Sequence, residues 1–243
     1  MEIKRLYTCG CSFMSVDFGG CHAITSFLDL YAQEKNFKHV SLGRSGATNF
    51  LIRLQIEEAI QQDADFVVIG TTSSDRIDLP IQAQAKKINL PINIRNVGYI
   101  HYSSDSANNI DNLDPKIISD SIGSFSADLL PKGYEDPANV PAILEAVKQY
   151  TAYMHNNAIA TMKDYFIIAD GIRRLMSLNI PFVLIPSTGM IDCDWSFVGR
   201  SLWNNKLPWS MPYGFDSTTI NHNPQVAHDY FSKILLQMTV EWK

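Results

Sequence analysis

Short apolar runs alternate with amphipathic stretches through the first third of this chain, and this alternation is the feature that most limits its fold. The run from Phe66 to Gly70 is apolar without interruption and ends in glycine, which is typical of a strand buried on both faces of a sheet. Residues 23–34 and 48–61 carry apolar side chains at helical spacing. Strands that alternate with helices in this way predict βαβ crossovers and a parallel sheet.

The predicted elements follow one another in order along the chain. Strands are expected at 3–8, 39–42, 66–70 and 182–186, and helices at 23–34, at 48–61, within 140–178 and at 224–239. The apolar face of the helix at 48–61 is expected to contain Phe50, Leu51, Leu54, Ile56 and Ile60. Periodicity is lost between residues 78 and 140, where prolines mix with polar residues. We interpret 78–140 as an irregular insertion over the ligand-binding edge of a single domain that spans 1–243.

The composition indicates a globular protein and argues against several kinds of partner. Of the 243 residues, 46% are hydrophobic and 19% are charged, which is ordinary for a protein with a substantial core. The net charge of -5, without any basic run, argues against a nucleic-acid partner. No stretch approaches the roughly 20 apolar residues of a membrane span. Because no export signal is visible either, the sequence predicts a cytoplasmic protein with no membrane partner.

The four cysteines lack the spacing of a metal site. Cys9, Cys11, Cys21 and Cys193 form neither a CxxC pair nor a zinc-type pattern, so we expect reduced thiols. The sequence gives no pattern typical of a metal centre or of a bound cofactor, and we predict neither.

Small and polar residues follow each of the first three predicted strands. The segments are Gly10-Cys11-Ser12, Gly43 to Asn49, and Gly70 to Arg76. Because the carboxyl ends of parallel strands meet at one edge of a sheet, these loops are expected to converge there. His222 comes directly before the last predicted helix. A serine, a histidine base and glycine-rich turns with exposed N–H groups are the parts needed for nucleophilic attack on a carbonyl.

In these segments the chain resembles the SGNH hydrolases, also called the GDSL-type esterase and lipase superfamily. Gly10-Cys11-Ser12-Phe13, Ser45-Gly46-Ala47-Thr48 and Gly70-Thr71-Thr72-Ser73 are similar to the family's first three sequence blocks, and His222 matches the histidine of the last. The resemblance covers most of the chain outside the insertion. It implies a three-layer α/β/α, flavodoxin-like fold with a mostly parallel sheet of about five strands. It also implies ester hydrolysis through an acyl-serine intermediate.

The resemblance further implies a role for each residue of these segments. Ser12 would be the nucleophile, and His222 would be the general base. The oxyanion hole would use the backbone N–H groups of Ser12 and Gly46. A hydroxyl group from Thr72 or Ser73 would replace the asparagine that the family places in the third block.

The chain departs from the family at two positions where the family has an acid, and the second of them is the acid of the triad. Cys11 stands where the family has an aspartate before the nucleophile, and Thr219 stands where it has the acid three residues before the histidine. Asp216 is the nearest acid upstream and is the favoured orienting acid. Asp192 and Asp194 stay open as alternatives, as do a main-chain carbonyl group in place of the acid and a Ser-His dyad. Loss of the acid from a triad can lower the rate by roughly four orders of magnitude.

Other polar and aromatic side chains have both a functional and a structural interpretation. Arg76 is expected to bind a substrate carboxylate or to pair with a neighbouring aspartate. His228 is interpreted as a structural residue of the last helix. Trp195, Trp203 and Trp209 either stack on a sugar or acyl group or close a core. The favoured substrate is a small or carbohydrate-linked ester, and the alternative is a non-catalytic binding or structural protein on the same scaffold.

Overall fold

The structure is a computed structural model that describes residues 4–11, 14, 26–43, 47–72, 74, 149, 153–186, 190, 192–198 and 225–239. These residues contain four strands, four α-helices and a short 3-10 helix. The strands are β1 Arg5–Cys9, β2 Lys38–Ser41, β3 Phe66–Gly70 and β4 Phe182–Ile185. The helices are α1 Phe27–Lys35, α2 Asn49–Gln61, α3 Asn157–Ser177 and α4 Gln225–Met238, and the 3-10 helix is Ser196–Val198.

The four strands of the described residues lie parallel in one sheet, in the order β2-β1-β3-β4. β1 pairs with β2 from Arg5 opposite Lys38, and with β3 from Leu6 opposite Phe66. The predicted α/β class with a parallel sheet is therefore confirmed. About five strands were predicted, whereas the described part of the chain forms four. Their order matches the first four positions of the flavodoxin-like order 2-1-3-4-5.

Helices cover both faces of the sheet. Because successive side chains of a strand point to opposite faces, a strand between two helical layers must be apolar throughout, as β3 is. On one face, α1 and α4 pack on alternate strand residues in a cluster that includes Leu6, Leu28, Tyr31, Phe66, Val68, Val183, Phe231 and Leu235. On the other face, α2 and α3 pack in a cluster that includes Tyr7, Leu51, Ile56, Val67, Ile69, Ile168, Ile172 and Leu184.

Side-chain caps determine where three of the helices begin. Ser26 caps α1, Thr48 caps α2 and Asn156 caps α3, each by accepting a hydrogen bond from a backbone N–H three residues further on. α1 therefore begins several residues later than the periodicity predicts. α3 begins inside the predicted helical region 140–178, in which residues 149 and 153 are helical as well. The predicted insertion at 78–140 lies outside the described residues.

The described cysteines are free thiols, as predicted. Cys9 and Cys11 are buried, and Cys193 is partly exposed. Burial raises the pKa of the Cys9 thiol far above its usual value, and the nearby Glu58 carboxylate raises it further. Cys9 is therefore an unreactive, protonated core residue. Cys21 lies outside the described residues. No helix among those described is both long and apolar enough to cross a membrane.

Candidate active site

The carboxyl ends of β1 and β3 lie side by side where the chain reverses its direction through the sheet. The chain crosses from β1 to β2 on one side and from β3 to β4 on the other. This is the switch point at which open α/β sheets bind ligands. Gly10, directly after β1, approaches the end of β3 so closely that a Cβ atom would lie 3.0 Å from the carbonyl oxygen of Gly70. The close approach explains the glycine at this position.

Met14 is held close to the end of β1. Its backbone N–H donates to the carbonyl oxygen of Cys11 at 2.9 Å. Cys11 and Met14 are both buried. The hydroxyl group of Ser41, at the end of β2, donates to the carbonyl oxygen of Met14 at 3.3 Å. A hydrogen bond therefore joins Met14 of the first loop to the neighbouring strand β2.

Gln55 of α2 holds the backbone at the end of β1. Its side-chain oxygen accepts the N–H of Gly10, and its Nε2 donates to the carbonyl oxygen of Gly10 at 3.2 Å. Gln55 is 0% exposed, so these two backbone groups and the carboxamide satisfy one another away from water. A buried glutamine thus takes the place of a strand partner for Gly10.

Asn49, the first residue of α2, holds the backbone after β3 in the same way. Its Oδ1 accepts the N–H of Thr72 at 2.9 Å, and its Nδ2 donates to the carbonyl oxygen of Thr72 at 2.9 Å. Nδ2 also donates to Asp164 Oδ2 of α3 at 2.8 Å. Because the N–H of Thr72 already donates to Asn49 Oδ1, an oxyanion donor at Thr72 would have to be its hydroxyl group.

Ser74 is a further polar residue of the third loop, and no role was predicted for it from the sequence. It is 5% exposed, and its hydroxyl oxygen has no hydrogen-bond partner in the part of the chain that the structure describes. An unsatisfied buried hydroxyl is a group that a bound ligand or water can complete. In the sequence, a serine inside a run of threonines and serines gives no signal that it differs from its neighbours.

The structure describes one of the predicted site residues, Thr72, which is buried at the carboxyl end of β3. The others lie outside the described residues, and they are Ser12, Gly46, Ser73, Arg76, Asp216 and His222. Their convergence around one point therefore stays a prediction. The described residues Cys11 and Thr72 support this prediction, since they directly precede Ser12 and Ser73 in the sequence.

Three alternatives from the sequence analysis lie among the described residues. Asp192 and Asp194 are both exposed. Asp194 accepts the N–H of Ser196 at 2.9 Å at the start of the 3-10 helix, and the side-chain and backbone hydrogen bonds from Ser196 together lower the pKa of the Asp194 carboxyl. Asp194 therefore has a local structural role. His228 is buried within α4, as its structural interpretation requires.

Trp195 closes a core. Its ring is buried and lies 4.9 Å from the ring of Tyr165 on α3, measured between centroids. Its indole N–H donates to the carbonyl oxygen of Met190 at 2.9 Å. The structural interpretation therefore applies to Trp195. Trp203 and Trp209 lie outside the described residues.

A second arrangement of hydroxyl, imidazole and carboxylate groups lies on the α1 side of the sheet. Thr8 Oγ1 is 3.0 Å from His39 Nε2, and His39 Nδ1 is 2.6 Å from Asp29 Oδ1. The order of groups is that of a catalytic triad. Thr8, however, is 0% exposed within β1, so no substrate can reach its hydroxyl group. We assign these three residues a structural role, in which they join α1 to β1 and β2.

This hydrogen-bonded array makes the stability of the fold depend on pH. Burial of Asp29 by itself raises its pKa, but hydrogen bonds from His39 and Ser26 outweigh burial and hold the pKa below its usual value. A carboxyl group with a lowered folded-state pKa stabilises the fold above its unfolded pKa of about 3.9, and this contribution is lost as the pH falls through the folded pKa.

We therefore expect Asp29→Asn to lower the free energy of unfolding at neutral pH, and we expect the difference from the wild type to shrink below about pH 4. Urea unfolding across this pH range measures the effect. Glu34→Gln changes an exposed carboxylate of the same helix and serves as the control. A difference between wild type and Asp29→Asn that does not vary with pH would contradict the assignment.

Comparison with known proteins does not assign the chain to a family. No model of a known protein family matches this sequence, and no curated protein matches it. No group of three or more His, Cys, Asp or Glu side chains suited to a metal ion occurs among the residues that the structure describes. The resemblance to the SGNH hydrolases therefore depends on the sequence segments quoted above.

Proposed function

We propose that this chain is a serine ester hydrolase of the SGNH type. The observation that carries the proposal is the position of the first loop. β1 ends at the switch point of a parallel sheet, and in the sequence Ser12 follows three residues after Cys9, the last residue of β1. Ligands of open α/β sheets bind at this edge. A serine that comes this soon after the strand in the sequence is therefore our candidate nucleophile.

In the proposed reaction, Ser12 Oγ attacks the ester carbonyl carbon while His222 accepts the hydroxyl proton. The N–H groups of Ser12 and Gly46 and a hydroxyl group of Thr72 or Ser73 stabilise the negative oxygen of the tetrahedral intermediate. The intermediate collapses, and the alcohol leaves with the proton from His222. Water then attacks the acyl-serine by the same steps in reverse and releases the carboxylic acid. Asp216 orients the imidazole ring in this scheme.

The proposed substrate is a small or carbohydrate-linked ester. This choice is supported by the polar character of the sequence between residues 78 and 140 and by the lack of any long apolar stretch in the sequence. Arg76, close after the third block, is proposed to bind a carboxylate of the substrate through its planar guanidinium group.

Two observations favour a second candidate, a binding or structural protein that keeps the scaffold without activity. The backbone N–H of Thr72 is bonded to Asn49, so the third loop would supply a hydroxyl group where the family supplies a carboxamide. Thr219 also stands in the position of the family's acid. Both features weaken an SGNH-type site without removing its nucleophile or its base.

A fluorophosphonate probe separates the two candidates. We expect the wild type to be labelled on the peptide that contains Ser12, and Ser12→Ala to lose labelling and at least about a thousandfold of its activity on a short aryl ester. Ser177→Ala is the matched control, since Ser177 is exposed at the end of α3 and its hydroxyl group donates to the carbonyl oxygen of Arg174 in the same helix. A wild type without labelling supports the binding protein, and labelling that survives in Ser12→Ala contradicts the assigned nucleophile.

A further inference from the structure

Two buried carboxamides of α2 form hydrogen bonds with the backbone on both sides of the candidate site. Gln55 binds the backbone of Gly10 at the end of β1, and Asn49 binds the backbone of Thr72 after β3. We infer that Gln55 and Asn49 are positioning residues, which hold the nucleophile loop and the oxyanion loop at a fixed separation. The inference rests on the proposed function, because that function gives the two loops their roles.

The geometry of each contact is that of a strand pairing. In an antiparallel ladder, a hydrogen-bonded pair exchanges both N–H···O bonds between two residues. Each carboxamide does the same with one residue, since it accepts that residue's N–H and donates to its carbonyl oxygen. The pairing of β1 with β3 ends at Cys9 opposite Ile69. Gly10 and Thr72 lie just beyond this point. The carboxamides therefore bond to backbone groups that the pairing of β1 with β3 does not reach.

A carboxamide has the chemistry for this task, and an ionised carboxylate does not. It carries an acceptor and a two-hydrogen donor on one planar fork, whereas a carboxylate only accepts. The partners also fix its orientation, because the oxygen must face the backbone N–H in both cases. At Asn49 the second N–H bond goes to the Asp164 carboxylate. A carboxylate at position 49 would therefore face both a carbonyl oxygen and another carboxylate.

The shared helix is what makes the contacts relevant to catalysis. Both side chains leave α2, a helix whose core-facing residues Leu51, Ile52, Ile56 and Ala59 are fully buried, so their spacing is set by a packed element. Catalytic groups must be held within about 0.5 Å of the productive geometry. A displacement of about 1 Å can lower a rate by a hundredfold. α2 is therefore a packed helix that contacts both loops and sets the distance between them.

The test uses isosteric variants and a matched control. In Gln55→Glu and Asn49→Asp the new carboxyl group keeps the shape of the amide but repels the backbone carbonyl oxygen when it is ionised. Gln61→Glu is the control, since Gln61 is exposed near the other end of α2 and bonds to Glu57 of the same helix. The readouts are the rate at which the fluorophosphonate labels the folded protein and the hydrogen exchange of the Gly10 and Thr72 amides.

At about pH 8 we expect each site variant to be labelled roughly a hundredfold more slowly than the wild type. We expect the ratio to recover towards about pH 5, because burial raises the pKa of an introduced carboxyl and its protonated form can again donate to the carbonyl. Exchange should increase at Gly10 in Gln55→Glu and at Thr72 in Asn49→Asp. The control should stay within about twofold of the wild type.

The two readouts distinguish the ways in which the inference can fail. Unchanged exchange in both variants would show that the carboxamides do not hold the loops. Faster exchange with unchanged labelling would show that they hold the loops without positioning the site. A wild type that is never labelled refutes the proposed function and the catalytic part of the inference, while exchange still decides whether the carboxamides fix the strand ends.

Discussion

Replacing Gly10 by alanine is expected to destabilise the fold by about 3 kcal/mol or more, because overpacking of this severity exceeds the usual cost of an inserted methyl group. The new Cβ would lie 2.7 Å from Cβ of Met14 and 3.0 Å from the carbonyl oxygen of Gly70. Gly70 belongs to β3 and cannot move without disturbing its pairing with β4. Urea unfolding measures the loss of stability, and fluorophosphonate labelling measures the effect on the site.

Gly171→Ala is the matched control for this substitution. Gly171 lies inside α3, and a Cβ there would meet the side chain of Arg53 2.8 Å away. That side chain can move, although the shift weakens its ion pairs with Glu57 and Asp170. Alanine also gains about 1 kcal/mol in helix propensity over glycine. We expect a net change below about 1 kcal/mol. Equal losses in the two variants would contradict the steric account of Gly10.

Replacing Phe66 by alanine is expected to cost about 3–5 kcal/mol without impairing the site of the molecules that remain folded. Phe66 is buried at the amino end of β3, the end opposite to the candidate site. Its ring lies 5.9 Å from the ring of Tyr31 and 6.0 Å from that of Phe37, measured between centroids. The loss removes an aromatic cluster and leaves a cavity between α1 and the sheet.

Urea unfolding gives the stability of Phe66→Ala, and labelling corrected for the folded fraction gives the state of the site. Phe166→Ala, on the exposed face of α3, is the control and should change the stability by less than about 1 kcal/mol. A corrected labelling rate that falls in Phe66→Ala as far as it falls in Gly10→Ala would contradict the separation of the two ends of the sheet.

Periodicity in the sequence predicted the order and type of the elements, because burial on one or both faces leaves a regular apolar pattern. β3 has its predicted bounds for this reason. The helix starts were less accurate, since they depend on single hydrogen bonds that the Ser26 and Asn156 side chains accept from the backbone, and no periodicity records these bonds. Phe50 was expected in the apolar face of α2, yet it is 43% exposed. Gln55 of the same helix is buried because it meets a backbone with unpaired polar groups.

The site was less predictable than the fold for the same physical reason. The glycine after β1 and the polar loop after β3 were visible as local patterns in the sequence. The carboxamides of Asn49 and Gln55 were not, because their partners are backbone groups of Thr72 and Gly10 that come close only in the folded chain. A polar residue on an amphipathic helix looks like part of a solvated face until the opposing backbone is known.

The pairing of β3 with β4 has a consequence for how the chain reaches its fold. Val67 lies opposite Phe182, about 115 positions later in the sequence, whereas β1, β2 and β3 come from the first third of the chain. Closing so long a connection costs little more free energy than closing a shorter one, since the cost grows only with the logarithm of its length. It nevertheless slows folding, because distant contacts form late. During synthesis the first three strands are complete long before β4 leaves the ribosome. Until then, the edge of β3 that β4 later covers is open to other strands.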